Sequence, residues 1–238
     1  MSSTTTKNLA ILDIDNTLVK GQSQRHFIEH LYNKGYISTY RYVVIMAWFI
    51  LYKLHLVKDT AKMLSFALQI FKGKSVDEID ELVNTWIREN KSSLYFKNTK
   101  KALQTLRDAN FEIVLLSSAV EPIVKSIAQD LRVEEYICTK LGQSDDKLDG
   151  QTNGAQVYSD EKLNKIQSFI NESKIDYDEI LVMADHDSDI PILRWAKKAI
   201  VANPQADMKK WASQNNIPVI YLDTDESIQY FESYIVSQ

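Results

Sequence analysis

Short apolar runs recur along the chain, and each ends at a polar residue. Leu9 to Leu12 runs into Asp13, Phe111 to Leu116 into Ser117, and Ile180 to Met183 into Ala184 and Asp185. Ala199 to Ala202 and Val219 to Leu222 are two more. Runs this short, bounded by polar residues, read as buried strands. Between them lie helical patterns at Asn98 to Asn110, Glu121 to Leu131, Asp160 to Ser173, Asp189 to Trp195 and Ala206 to Gln214. Strands alternating with helices predict an α/β fold, a parallel sheet covered on both faces. In open sheets of this kind ligands bind beyond the carboxyl ends of the strands. Asp13, Ser117 and Asp185 therefore converge at one edge, although they are distant in sequence.

The stretch from Lys20 to Phe96 breaks this alternation. It lacks strand signals and carries helical spacing, as in Phe27, Leu31 and Tyr32. Gly73 separates two of its helices, and Ser75 with Glu78 three residues on forms a capping box. We read 20–96 as a helical insert after the first strand. Its 11 Lys/Arg and 7 Asp/Glu give +4, leaving −8 for the remainder of a −4 chain. A basic insert over an acidic pocket favours an anionic substrate, although a solvated helix surface has the same composition.

Composition narrows the reading further. With 45% hydrophobic and 25% charged residues, the 238-residue chain is an ordinary globular protein without a basic tract for nucleic acid. Its one cysteine, Cys138, excludes an internal disulfide, suits a reducing compartment and reads as a buried apolar residue. Met1 to Asn8 lacks the profile of a secretory signal, and the expected location is cytoplasmic. The longest apolar run, Tyr42 to Tyr52, is shorter than the about 20 residues a membrane span needs. Core helix is the expectation for it, with a membrane-surface or oligomer contact through Tyr42, Trp48, Phe49 and Tyr52 as the alternative.

Chemistry gathers at the strand ends. Asp13-Ile14-Asp15-Asn16-Thr17 places two carboxylates in one strand-to-loop turn. A carboxylate attacks phosphorus once a metal neutralises the phosphate, and a second one can serve as general acid and base. Ala184-Asp185-His186-Asp187-Ser188-Asp189 holds three acids in five residues, a set that needs a cation nearby. Mg²⁺ suits it; capping of a helix N-terminus is the alternative for Ser188 and Asp189. Ser117 and Ser118 precede the helix at Glu121, where a phosphate cradle and an N-cap look alike. Lys162 begins another helix and could reach phosphate and acids. His26 and His30, four residues apart, form a candidate metal pair without an acidic partner on their face.

Taken together, these segments resemble the haloacid dehalogenase (HAD) superfamily over nearly the whole chain. Asp13 to Thr17 is similar to its Asp-x-Asp-x-Thr motif, Ser117 to the second, Lys162 to the third, and Asp185 with Asp189 to the fourth. Finer features resemble subfamily IB, the phosphoserine-phosphatase-like group with a helical C1 cap. They are Ser117 to Pro122, the Asp149 to Gly154 hairpin segment, Ser159 to Lys162 where the group has Gly-Glu-Glu-Lys, and Ala202-Asn203-Pro204. Gly21-Gln22-Ser23 is similar to Gly-Asp-Ser of relatives acting on larger or lipid-linked phosphates.

The resemblance implies a Rossmann-like doubly wound core, 1–19 and 97–238, with an all-helical cap at 20–96. It implies Asp13 as nucleophile and Mg²⁺ ligand, and Asp15 as general acid/base, ligating through its carbonyl. Asp185 is the further metal carboxylate; Ser117, the Ser118 N–H and Lys162 bind phosphate. Thr17 supports the loop, and Asp189 tunes the site or holds Lys162; Asp187 competes for that role, but the four-residue spacing from Asp185 favours Asp189. The implied activity is Mg²⁺-dependent hydrolysis of a small or lipid-linked phosphomonoester through an aspartyl-phosphate. A phosphotransferase with the same site and a non-catalytic binding protein are the alternatives; dehalogenation would leave Asp15 without a use. The sequence departs from the pattern at Ala184, usually glycine, and at His186, often serine. Lys20 to Ser23 lacks the glutamate with which phosphoserine phosphatases hold the substrate amine.

Overall fold

The computed structural model describes residues 7–53, 56 and 60–236. The chain runs β1 (Lys7–Leu12), α1 (Ser23–Asn33), α2 (Thr39–Lys53), α3 (Thr60–Leu68), α4 (Val76–Leu94), α5 (Thr99–Asp108) and β2 (Phe111–Val120). It continues with α6 (Glu121–Leu131), β3 (Glu135–Thr139), β4 (Leu141–Ser144), β5 (Lys147–Thr152), α7 (Asp160–Ser173) and β6 (Tyr177–Ala184). A short 3₁₀ turn (Asp187–Asp189) leads to α8 (Ile190–Trp195), β7 (Lys198–Ala202), α9 (Ala206–Gln214), β8 (Val219–Ile220) and α10 (Asp225–Val236).

Six strands form a parallel sheet in the order β3-β2-β1-β6-β7-β8. The chain winds outward from β1 in one direction, then returns to β6 on the other side of β1. The crevice between β1 and β6 is thus the topological switch point, the place where doubly wound sheets bind ligands. Leu12 is level with Leu115 of β2 and Met183 of β6. The residues that follow, Asp13, Ser117 and Asp185, therefore leave the sheet at one edge.

Alternation along β1 divides the core. Ala10 and Leu12 face the layer of α5, α6 and α10, where Leu103, Ile127 and Phe231 are buried. Leu9 and Ile11 face the layer that holds Ile166, Ile192 and Met208. Successive side chains of a strand point to opposite faces, so one apolar run supplies both cores.

Helices α1 to α4 lie between β1 and β2. The chain leaves and returns through a paired neck: the Lys20 N–H donates to the Leu94 carbonyl, and the Phe96 N–H to that of Leu18. Phe27, Phe71 and Trp86 from three segments of the insert pack with ring centroids 5.6 to 6.2 Å apart. The expected capping box is present: Ser75 Oγ accepts from the Glu78 N–H, and the Glu78 carboxylate accepts from the Ser75 N–H.

Four features differ from the sequence expectation. β2 continues through Ser117 to Val120 by a register shift against β3, rather than stopping at Leu116. β3 and α10 were not expected; β3 has the mixed run Glu-Tyr-Ile-Cys-Thr, which carries no alternating pattern. The hairpin turn falls at Asp145 and Asp146, both with positive φ, while Asp149-Gly150 lies within β5. Finally, Tyr42 and Phe49 pack against the core, with Tyr42 stacked on Tyr32 at 4.1 Å, so α2 turns a different face outward. The side chain of Tyr52 lies outside the described residues. Cys138 is buried and free, and burial pushes its thiol up to about 12.

Candidate active site

The loop after β1 makes a tight turn. The Leu18 and Val19 N–H groups both donate to the Ile14 carbonyl at 2.9 Å, and Asn16 takes a positive φ of 55°. Asparagine tolerates that left-handed geometry better than most residues. The Asp13 N–H donates to the Met183 carbonyl, extending the β1–β6 pairing to the nucleophile candidate itself. Thr17 Oγ1 donates to Asp13 Oδ2 at 3.2 Å. The Asp15 carboxylate turns to the insert, where Oδ1 accepts the Ser23 N–H at 2.9 Å.

Lys162 enters from the first turn of α7. Its buried Nζ stands 2.6 Å from Asp13 Oδ1 and 2.7 Å from Asp189 Oδ1. Its placement depends on Ser159, whose carbonyl accepts the Lys162 N–H and whose backbone is held at φ 51°, ψ −123°. That conformation favours glycine, the residue found there in the resembling group.

The 3₁₀ turn after β6 separates the competing acids. Asp189 is buried and paired with Lys162, whereas the Asp187 carboxylate is exposed and sits 2.7 Å from the His186 ring. The capping reading fails for Asp189: its side chain caps no helix N–H, and the His186 ring accepts the Ser188 N–H instead. Ser117 is likewise not an N-cap, since Val120 holds that position before α6. Ser117 Oγ accepts the Ala119 N–H at 3.1 Å, and the Ser118 carbonyl accepts from buried Thr139 Oγ1.

Carboxylate oxygens of Asp13, Asp185 and Asp189 lie within 4.8 Å of one another, all buried. One ammonium serves three acids. Burial raises the Asp13 carboxyl to about 7 despite Lys162, with Asp189 and Asp15 adding to the rise. Burial, then Asp13 and Asp189, raise Asp185 well above the ordinary carboxylate range. Among the described residues no hydrogen bond reaches its carboxylate. Burial raises Asp15 too, against the Ser23 contacts. For Lys162 burial opposes the charge, but Asp13 and Asp189 outweigh it and raise its pKa. The residues fit a divalent cation: a hard ion takes carboxylate oxygens, and among the described residues no cation contacts Asp185 directly.

His26 and His30 do not form a metal pair. His26 Nε2 contacts the Lys20 carbonyl at 2.9 Å, and His30 Nδ1 lies 3.9 Å from Glu89. Sequence reasoning gave no role to Asn203, which ties the site loop to the sheet. Its Nδ2 donates to the Asn16 and Thr17 carbonyls at 2.9 and 3.0 Å, and its Oδ1 accepts the Leu222 N–H. The usable signal was an Asn-Pro step directly after a buried strand. Thr139, whose Oγ1 joins Ser118 to Val157, offered no sequence signal at all.

A buried aspartate cluster at the switch point of a β3-β2-β1-β6-β7-β8 parallel sheet, with a helical insert after β1, defines a class of α/β hydrolase. The chain matches the haloacid dehalogenase-like hydrolase family over residues 10–194, and it belongs to that family. It is 24% identical to a histidinol-phosphatase of Neisseria meningitidis over 218 residues, 90% of this chain and 98% of that one. It is 25% identical to a phosphoserine phosphatase of Mycobacterium tuberculosis, covering 86% of this chain and 68% of that one. Among solved structures, a Bordetella pertussis protein of unknown function superimposes with a TM-score of 0.83 at 19% identity, covering 92% of this chain and all of that one. A substrate-bound phosphoserine phosphatase gives 0.68 at 15% identity, covering 94% and 98%.

Proposed function

We propose that this hydrolase cleaves phosphomonoesters through an aspartyl-phosphate on Asp13, with Mg²⁺ held by Asp13, the Asp15 carbonyl and Asp185. The buried Asp13–Lys162–Asp189 chain beside Asp185, which no cation contacts directly among the described residues, carries this reading. The names of the relatives, histidinol-phosphatase and phosphoserine phosphatase, support a small phosphomonoester as substrate. A lipid-linked one fits the Gly21–Ser23 resemblance equally. Residues 20–96 act as a cap over a core of 1–19 and 97–238, a division the paired neck supports.

In the first step an Asp13 carboxylate oxygen attacks phosphorus, and the bond from phosphorus to the leaving alcohol oxygen breaks. Asp15 gives that oxygen its proton; burial raises its carboxyl, which favours the protonated form an acid needs. Ser117, the Ser118 N–H and Lys162 hold the non-bridging oxygens. Lys162, clamped between two acids, brings a fixed positive charge without reorganisation. Asp15 then takes a proton from water, which attacks phosphorus, releases phosphate and restores Asp13. Mg²⁺, when bound, neutralises the phosphate so that one anion can approach another.

The test is release of phosphate from an aryl phosphate with and without Mg²⁺, alongside Asp13→Asn. Metal-dependent release should fall by at least about 10³-fold in the variant while its thermal unfolding persists. Full activity in Asp13→Asn would sink the covalent mechanism.

A further inference from the structure

Helix α2 is apolar on two faces. Tyr42, Ile45, Met46 and Phe49, spaced as one helical stripe, pack inward. The opposite stripe, Tyr40, Val43, Ala47 and Ile50 with Leu51, faces solvent; Tyr40 is 75%, Val43 56% and Ile50 60% exposed. Leu56, 68% exposed, follows the helix, and Phe66 is exposed on α3, which packs on α2. A helix apolar all round is normally buried, and exposed apolar stripes of this kind mark interaction sites.

Charge indicates what covers it. Between residues 34 and 75 seven Lys/Arg stand against one acid, Asp59, a net of +6. The chain as a whole carries −4, so the rest carries −10. Helices α2 and α3 contain no acidic residue, and Arg41 and Lys62 are exposed on them. Among the described residues no helix is long and apolar enough to cross a membrane.

We propose that the outward face of α2 docks on an anionic lipid surface, lying in the headgroup plane with its basic neighbours on the lipid phosphates. An apolar ridge flanked by cations, with tyrosine at its start, suits that interface. A symmetric contact with a second copy would set one basic stretch against another. None of the residues of this face belongs to the aspartate cluster, so docking stands or falls independently of the proposed chemistry.

The experiment is co-sedimentation of the full chain with phosphatidylcholine vesicles containing or lacking about 30% phosphatidylglycerol. The wild type should pellet with the anionic vesicles and at least about tenfold less with the neutral ones, and salt should weaken binding. The double variant Val43→Asp/Ile50→Asp should lose at least about tenfold of the bound fraction. Its melting temperature should stay unchanged, as both side chains are exposed. Failure of the wild type to pellet with anionic vesicles would overturn the proposal. So would pelleting insensitive to the double substitution, or a wild-type dimer in sedimentation velocity that the substitution dissolves.

Discussion

At the scale of single residues, the site depends on side chains that serve the backbone as much as on those that face substrate. Asn203 receives the chain after β7 at a positive φ of 47° and binds two carbonyls of the loop that carries Asp15 and Thr17. Asn203→Ala removes three hydrogen bonds, each worth about 1 kcal/mol net. We expect a loss of about 1–3 kcal/mol in urea unfolding, with kcat falling more than KM rises; unchanged stability would assign the loop's order elsewhere. Gly21 is constrained in the same region. Its φ of 77° favours glycine, and a Cβ there would come within 2.6 Å of His26 Nε2, so the imidazole would have to shift. These constraints were only partly legible. Asp13, Asp15 and Asp185 were marked by their position after apolar runs, whereas Asp189 was favoured over Asp187 only by its four-residue spacing until burial and the Lys162 pair bore it out.

At the scale of elements, α7 shows how a helix start aims one lysine. Ser159 holds a backbone conformation that costs a non-glycine residue about 1–3 kcal/mol. Its side chain makes no capping bond in return. Ser159→Gly relieves the strain, partly offset by about 0.5–1 kcal/mol of chain entropy. The net gain should be about 1 kcal/mol, read as a melting temperature higher by about 2–4 °C in differential scanning calorimetry. A lower melting temperature would show that Ser159 contributes something its contacts do not reveal. The ranges of α6, α7 and α9 were legible in full because an acidic first turn and apolar spacing agree there. β2 was cut short because its end contains two serines in an irregular stretch, and the strand resumes only where Val120 pairs with Thr139.

At the scale of the whole molecule, the fold gathers acids from β1 and β6 around one lysine from α7, and it does so in a buried crevice. That arrangement is destabilising until another cation joins it. Addition of Mg²⁺ should therefore stabilise the chain by about 2.7 kcal/mol at a hundred times its Kd, a rise of about 5–11 °C in melting temperature. Asp185→Asn should melt higher than wild type without metal and respond little to Mg²⁺; an equal response in both would remove Asp185 from the metal site. By itself the sequence determined the alternation of strands and helices, the helical insert and the acids at strand ends, because these are local patterns of period and position. Spacing favoured Asp189 over Asp187, and the structure bears that out by pairing it with Lys162. Tertiary structure alone decided that Asn203 and Thr139 brace the loops and that α2 turns Val43 and Ile50 outward. Each of those depends on which distant segment packs opposite, and an α2 apolar on every face holds no signal of which side the core will take.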